Sequence, residues 1–203
     1  MSSNMNDMTG IFELDEKLTE LIALPAGALI TPGELRRVCV KYVDFGGAEQ
    51  VGNIVCAREA ARDIAEIFAG LFEARYPIEK IRYAHEYGGD DDLIMGDNAT
   101  SAFNYRFVAN TQTLSLHAKG LAIDINPLYN PYIQNGVVMP ANAAPYADRS
   151  ADFPHKITHG DLCFELFRKH GWLWGGDWTD DKDYQHFYKP EGVIKRLRAK
   201  VGI

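Results

Sequence analysis

Two histidines and two aspartates carry the chemistry latent in this sequence: His117 with Asp124, and Asp183 with His186. Imidazole nitrogen and carboxylate oxygen are both zinc donors, and a catalytic zinc site takes about three protein ligands and leaves a fourth position to water or substrate. His117, Asp124 and His186 would fill three positions, which leaves Asp183 spare beside the last imidazole. A carboxylate there can act as general base to an attacking water and then as general acid to a leaving amine. Between the first two ligands lies Gly120, which can take a positive φ without a Cβ penalty, so the chain is expected to fold back there and aim both side chains at one point.

The elements that must position these groups are legible as alternations. In Leu121-Ala-Ile-Asp-Ile-Asn126 a period of two sends Ile123 and Ile125 to a core and leaves Ala122, Asp124 and Asn126 on the other face, with Pro127 compatible with the strand's end. Small Ala122 leaves room for a metal or substrate. If Gln185 to Tyr188 is a short strand, His186 and Tyr188 share one face and Phe187 packs behind. Glycine turns and tryptophans precede it in Gly171-Trp-Leu-Trp-Gly-Gly-Asp-Trp178.

Taken singly, each residue has a plainer reading. A lone His117 or His186 is more often a hydrogen-bonded structural histidine, and Asp124 alone could cap a turn. It is the combination of Ser-x-His-x-x-Gly-x-Ala-x-Asp with Gly-Gly-Asp-Trp and Asp-x-x-His-Phe that favours a metal site. A non-haem iron triad of two histidines and one carboxylate uses the same donors and is the alternative metal reading.

These strings, together with Ser101-Ala-Phe-Asn-Tyr-Arg106, resemble the zinc D-alanyl-D-alanine carboxypeptidase family, which includes D-Ala-D-Ala dipeptidases and L-alanyl-D-glutamate endopeptidases. The resemblance covers residues 30 to 190. It implies Zn2+ as cofactor, His117, Asp124 and His186 as its ligands, and peptidoglycan peptides as substrates. It also implies Asp183 as the catalytic carboxylate and Arg106 as the arginine that faces the substrate. A guanidinium offers fixed donors to a peptide carboxylate or to the oxyanion of the attacked carbonyl. Ser115, two residues before His117, is the expected substrate-binding companion. The carboxypeptidase and dipeptidase branches more often place a Glu two residues before the last histidine, where this chain has Tyr184. The acid at position 183 favours the endopeptidase-like geometry. The rival within the same fold is a zinc-binding recognition module without activity.

Other polar groups read as structural. Asp177 suits a turn whose carboxylate accepts backbone hydrogens. His85, His155, His159 and His170 lack paired spacing, and Asp90-Asp91-Asp92 reads as a solvated loop. The net charge of −7 argues against a general nucleic-acid binder. The one basic cluster, Lys195 to Lys200, suits the end of a C-terminal helix. Three cysteines, Cys39, Cys56 and Cys163, without a CxxC spacing argue against a disulfide framework or a thiolate metal site. No segment approaches the ~20 apolar residues of a membrane span. The run Leu21 to Ile30 mimics a secretory core, but Glu13, Asp15, Glu16 and Glu20 precede it where positive charge belongs, so it reads as mature sequence. The expected site of action is the cell envelope or outside the cell, reached by lysis or another route, with action inside the cell as the alternative.

The expected organisation is a flexible N-terminus over 1–10 and a single zinc peptidase domain over 11–203, without repeats or an appended wall-binding module. Helices are expected near 11–23, over Arg58 to Tyr76, and over 160–170 with Leu162, Leu166 and Phe167 inward. Strands are expected at Val38–Phe45, Ile81–Glu86, Ser101–Val108 and Leu121–Asn126. In the third of these, Phe103, Tyr105 and Phe107 should face one way and Asn104, Arg106 and Val108 the other. Leu128 to Pro154 reads as a long loop, either one that borders the cleft and helps to choose the peptide or a passive surface loop. This is an α+β class, and the resemblance implies the small antiparallel sheet with flanking helices shared with hedgehog domains.

Overall fold

A hairpin of two nine-residue strands, β2 (Leu35–Val43) and β3 (Glu49–Ala57), forms the longest stretch of sheet. Its outer edge carries β1 (Gly10–Phe12). The computed structural model describes residues 9–108 and 111–192, so most of the expected flexible start and the basic cluster at 195–200 lie outside the described residues. Helix α1 (Glu16–Ile22) is capped by Asp15, whose carboxylate accepts from Leu18 N–H at 2.8 Å.

Helix α2 (Ala61–Glu73) lies across the hairpin because Ala61, Ile64, Ile67, Phe68 and Leu71 recur at helical spacing and are all buried. Gly70 lets α4 (Leu162–Lys169) come close: a Cβ there would stand 3.1 Å from Leu166. In α4 Phe167 is buried and Leu166 packs against the core as expected, Cys163 and Phe164 are buried beside them, and only Leu162 departs from the expected face by being exposed. Asp161 caps this helix through Cys163 N–H and fixes its phase.

The strands that matter for chemistry are short. β6 (Ala122–Asp124), β9 (Leu173–Trp174) and β11 (His186–Tyr188) form a three-stranded antiparallel sheet with β11 in the middle. Ile123 and Phe187, opposite one another, are fully buried, and the Phe187 ring stacks on Phe167 at 4.2 Å between centroids. One continuous core therefore joins the hairpin, α2, α4 and the site-bearing sheet.

Several expectations are corrected. Residues 81–86 are not one strand: β4 (Lys80–Ile81) pairs in parallel with β5 (Ala99–Thr100), and Ala84–Tyr87 forms a 3-10 turn. Residues 101–108 form no regular strand: the bridges at Ser101 and Phe107 are isolated, and Phe107 is exposed while Phe103 is buried. The acidic triplet is no loop, because Asp90 caps helix α3 (Asp91–Gly96) and puts two carboxylates in its first turn.

The stretch 128–154 is folded. β7 (Tyr132–Gln134) and β8 (Val137–Met139) make a hairpin around Asn135-Gly136, both with positive φ, and β10 (Lys182–Asp183) adds to its free side. A 3-10 helix follows at Ala141–Tyr146. Arg149 secures the excursion from inside, donating to the carbonyls of Tyr129 and Ile157 and to Asn130 Oδ1. The architecture is α+β, built from several small sheets and few helices. Among the described residues no helix is long and apolar enough to cross a membrane, and all three cysteines are buried and unpaired.

Candidate metal centre

Strand register brings the first two donors together. His186 in β11 is the direct cross-strand partner of Asp124 in β6, and side chains opposite one another on one face of an antiparallel pair stand within contact distance. His186 Nδ1 lies 2.9 Å from Asp124 Oδ1. The third donor comes from a turn. Gly120, at φ +66°, closes the bend Leu116–Leu121 with Gly120 N–H donating to the His117 carbonyl, and a Cβ on it would sit 2.3 Å from Ala57 N. The bend carries His117 Nε2 to 3.1 Å from His186 Nδ1 and 3.3 Å from Asp124 Oδ2.

His117 is oriented from behind: its Nδ1 lies 2.6 Å from the Ala102 carbonyl, which makes Nδ1–H the donor and leaves the Nε2 lone pair facing inward. The Ser115 hydroxyl accepts from His117 N–H at 3.2 Å, so it steadies the same bend. Ser115 lies between the antiparallel bridge at Leu114 and the turn that begins at Leu116, and its hydroxyl still has one proton to donate.

The donor set fits a small dication. Zinc bonds of about 2.0–2.1 Å in a tetrahedron put neighbouring donors about 3.3–3.4 Å apart, close to the separations among these three residues. Two buried imidazole nitrogens aimed at one another and at a carboxylate need a cation or protons between them. Burial works against charge on Asp124, yet the two imidazoles beside it hold its carboxyl well below the usual carboxylate range. Burial likewise opposes protonation of His117, and Asp124 outweighs it, raising the imidazole's pKa.

Asp183 lies beside this group. Burial pushes its carboxyl up to about 7, against the pull of His186 and helped by the charge of Asp124. Its Oδ1 is shielded and has no protein partner. The glycine turn makes this packing possible: a Cβ on Gly175 would stand 2.6 Å from the Asp183 carbonyl oxygen and 3.3 Å from His186 Cβ. Trp178 and Tyr188 form an aromatic wall, each ring 5.5 Å from that of His186, and Trp178 Nε1 donates to Tyr188 Oη.

Arg106 is half-buried, and its Nε lies 2.5 Å from Asp91 Oδ2, an ion pair without hydrogen-bond alignment. Its charge is felt at His117. It also borders a cavity of about 460 Å³, walled by Leu21, Ile22 and Pro25 on one side and Tyr83 and Phe103 on the other; none of the three donors lines it.

The remaining candidates are placed elsewhere. Asp177 accepts from His159 Nε2 at 2.7 Å at the surface, so a side-chain partner takes the place of the expected backbone donors. His155 stacks on Phe45, His85 on Tyr83, and His170 sits near Asp63. Sequence reasoning missed the Ala102 carbonyl, a backbone group that no residue type announces, and Asp91, hidden in what read as a solvated triplet. It also missed the hairpin behind Asp183, although Asn135-Gly136 is a strong hairpin signal.

Residues 109–189, which include both histidines, Asp124 and Asp183, match the model of a D-alanyl-D-alanine carboxypeptidase family. The similarity is confined to that stretch, and it begins after Arg106. No curated protein and no solved structure matches the chain.

Proposed function

We propose, from that family match and the geometry of the site, that the chain is a zinc metallopeptidase hydrolysing peptide bonds of bacterial cell-wall peptides. The bond is L-Ala-D-Glu, cut as an endopeptidase, or D-Ala-D-Ala, cut as a carboxypeptidase. One observation carries the reading: three donors converge at about 3 Å, and the carboxylate beside them keeps one shielded oxygen, Asp183 Oδ1, without a hydrogen-bond partner.

His117 Nε2, His186 Nδ1 and an Asp124 oxygen would hold the ion. Zinc bound there supplies Lewis-acid polarisation of the scissile carbonyl and lowers the pKa of a water from about 15.7 to about 7. The Ala102 carbonyl keeps His117 in the tautomer that can ligate. Asp183 takes the proton of the attacking water at its free oxygen and returns it to the departing amine. Burial matches Asp183 to both roles, because a carboxyl that titrates near neutrality accepts and releases a proton at comparable cost. Arg106 serves the substrate's carboxylate or the oxyanion, exchanging its Asp91 partner for the new charge. Ser115 offers its hydroxyl proton to the peptide.

The test is mass spectrometry of products from the zinc-loaded protein with purified muropeptides and, separately, D-Ala-D-Ala. Asp183→Ala should keep its zinc and lose turnover. Cleavage between L-Ala and D-Glu identifies an endopeptidase, and loss of one D-Ala a carboxypeptidase. No zinc-dependent product from either substrate overturns the proposal in favour of a recognition module.

A further inference from the structure

Asp183 takes no part in the sheet that carries His186 and Asp124. Its strand, β10, pairs with β7, with Asp183 opposite Tyr132 and Lys182 opposite Ile133. The carboxylate meant to work beside the metal is therefore placed by an excursion of chain between β6 and α4, and not by the ligand-bearing strands.

The grip on β10 is made at both ends. At its start, Asp181 Oδ2 accepts from Tyr132 Oη at 3.1 Å and from Gln134 Nε2 at 2.8 Å. Tyr132 and Gln134 are two residues apart in a strand, so both side chains leave β7 on the same face and can converge on one oxygen. At its end, Tyr184 N–H donates to the Pro131 carbonyl. The hairpin is itself anchored: Asn130 is fully buried and donates to the carbonyls of Asn126 and His155, and the Arg149 guanidinium lies 4.3 Å over the Tyr184 ring. Residues 181–184 thus have little freedom to slide relative to the metal ligands. Gly175 presses on Asp183 from the opposite side.

We infer that Asp181, Tyr132 and Gln134 form a clamp that positions Asp183, so that the 128–154 excursion is part of the proton-transfer apparatus. All three are positioning residues, and the inference rests on the role of Asp183 proposed above. A carboxylate that must meet both the attacking water and the leaving amine tolerates little displacement, since a misplacement of about 1 Å can cost about a hundredfold in rate.

The experiment compares Asp181→Ala, Asp181→Asn and the double variant Tyr132→Phe/Gln134→Ala with wild type and Asp183→Ala, in the zinc-loaded full chain. It uses whichever of muropeptides or D-Ala-D-Ala the wild type turns over. Asp181→Ala and the double variant should lose about 10- to 100-fold in kcat with KM within about twofold and zinc content unchanged. Asp181→Asn keeps an acceptor for both donors and should stay within about threefold of wild type. Amide hydrogen exchange supplies a readout independent of turnover: protection at 182–184 should fall in Asp181→Ala while that at 186–188 persists. If Asp183→Ala is inactive but Asp181→Ala and the double variant keep wild-type kcat, the clamp is overturned and the role of Asp183 stands. If Asp181→Asn is as impaired as Asp181→Ala, the charge of Asp181 matters and not its clamp, which overturns the inference. If Asp183→Ala retains turnover, the proposed role of Asp183 fails and the clamp with it. Should Asp181→Ala fail to fold, the double variant decides alone, because it leaves β10 unaltered.

Discussion

Asp183 combines two properties that a protein rarely tolerates outside a working site: a shielded carboxyl oxygen without a partner, and a pKa pushed by burial up to about 7. The unfolded chain returns it to about 3.9. Between about pH 4 and about pH 7 the folded, metal-free protein therefore holds a proton that the unfolded chain has released, and stability falls as pH rises through that window. Asp183→Asn removes this contribution. Denaturant melts of chelator-treated protein should show the variant gaining on wild type from pH 4 to pH 7 and no further gain above; an unchanged difference sinks the assignment of the shift to Asp183. In the loaded enzyme a nearby dication favours the carboxylate, so the acid limb of kcat/KM should fall below about 7.

Gly175 is the second test at this scale. A methyl group there meets the Asp183 carbonyl at 2.6 Å, so Gly175→Ala must push β10 or the turn aside. We expect a fall in kcat of about 10- to 100-fold. Metal analysis alongside kinetics separates displacement of Asp183 from displacement of His186.

At the scale of elements, the turn closed by Gly120 and the strands β6 and β11 carry the three residues proposed as ligands. Gly120→Ala combines a left-handed backbone, which costs a non-glycine residue about 1–3 kcal/mol, with a Cβ 2.3 Å from Ala57 N. It should lower the melting temperature and weaken zinc retention together, because the same bend carries His117. Phe187→Ala empties the centre of β11 where the ring stacks on Phe167, and should cost about 3–5 kcal/mol. Thermal melts and bound-zinc measurements check both variants; normal stability in either removes the structural role given to that element.

For the whole molecule, the proposed ligands come from two distant segments, 117–124 and His186, so an ion bound there would report on the fold and the fold on the ion. An ion that binds only the folded state stabilises it by about 2.7 kcal/mol at a free concentration one hundred times its dissociation constant. Chelation should accordingly lower the melting temperature of wild type, and should leave His117→Ala and His186→Ala unmoved. Equal responses in wild type and ligand variants would show that the ion does not bind at this group.

What the sequence determined by itself was the chemistry and its local phase. Residue type supplies imidazole and carboxylate groups that can bind a metal, and the alternation from Leu121 to Asn126 puts Asp124 on the face away from Ile123 and Ile125, both fully buried. Gly120 permits the bend because only a residue without a Cβ fits there. These are short-range properties, set by dihedral preference and side-chain period. Tertiary structure decided what depends on register and on backbone groups from distant segments: the pairing of His186 with Asp124, the Ala102 carbonyl behind His117, and Arg106 held by Asp91. It also decided that 128–154 is a hairpin backing Asp183, a choice that the Asn135-Gly136 turn permits but that only pairing with β10 completes. Periodicity reports which face a residue takes. It carries no information about which distant strand will lie beside it, because that is settled by burial of the whole core at once.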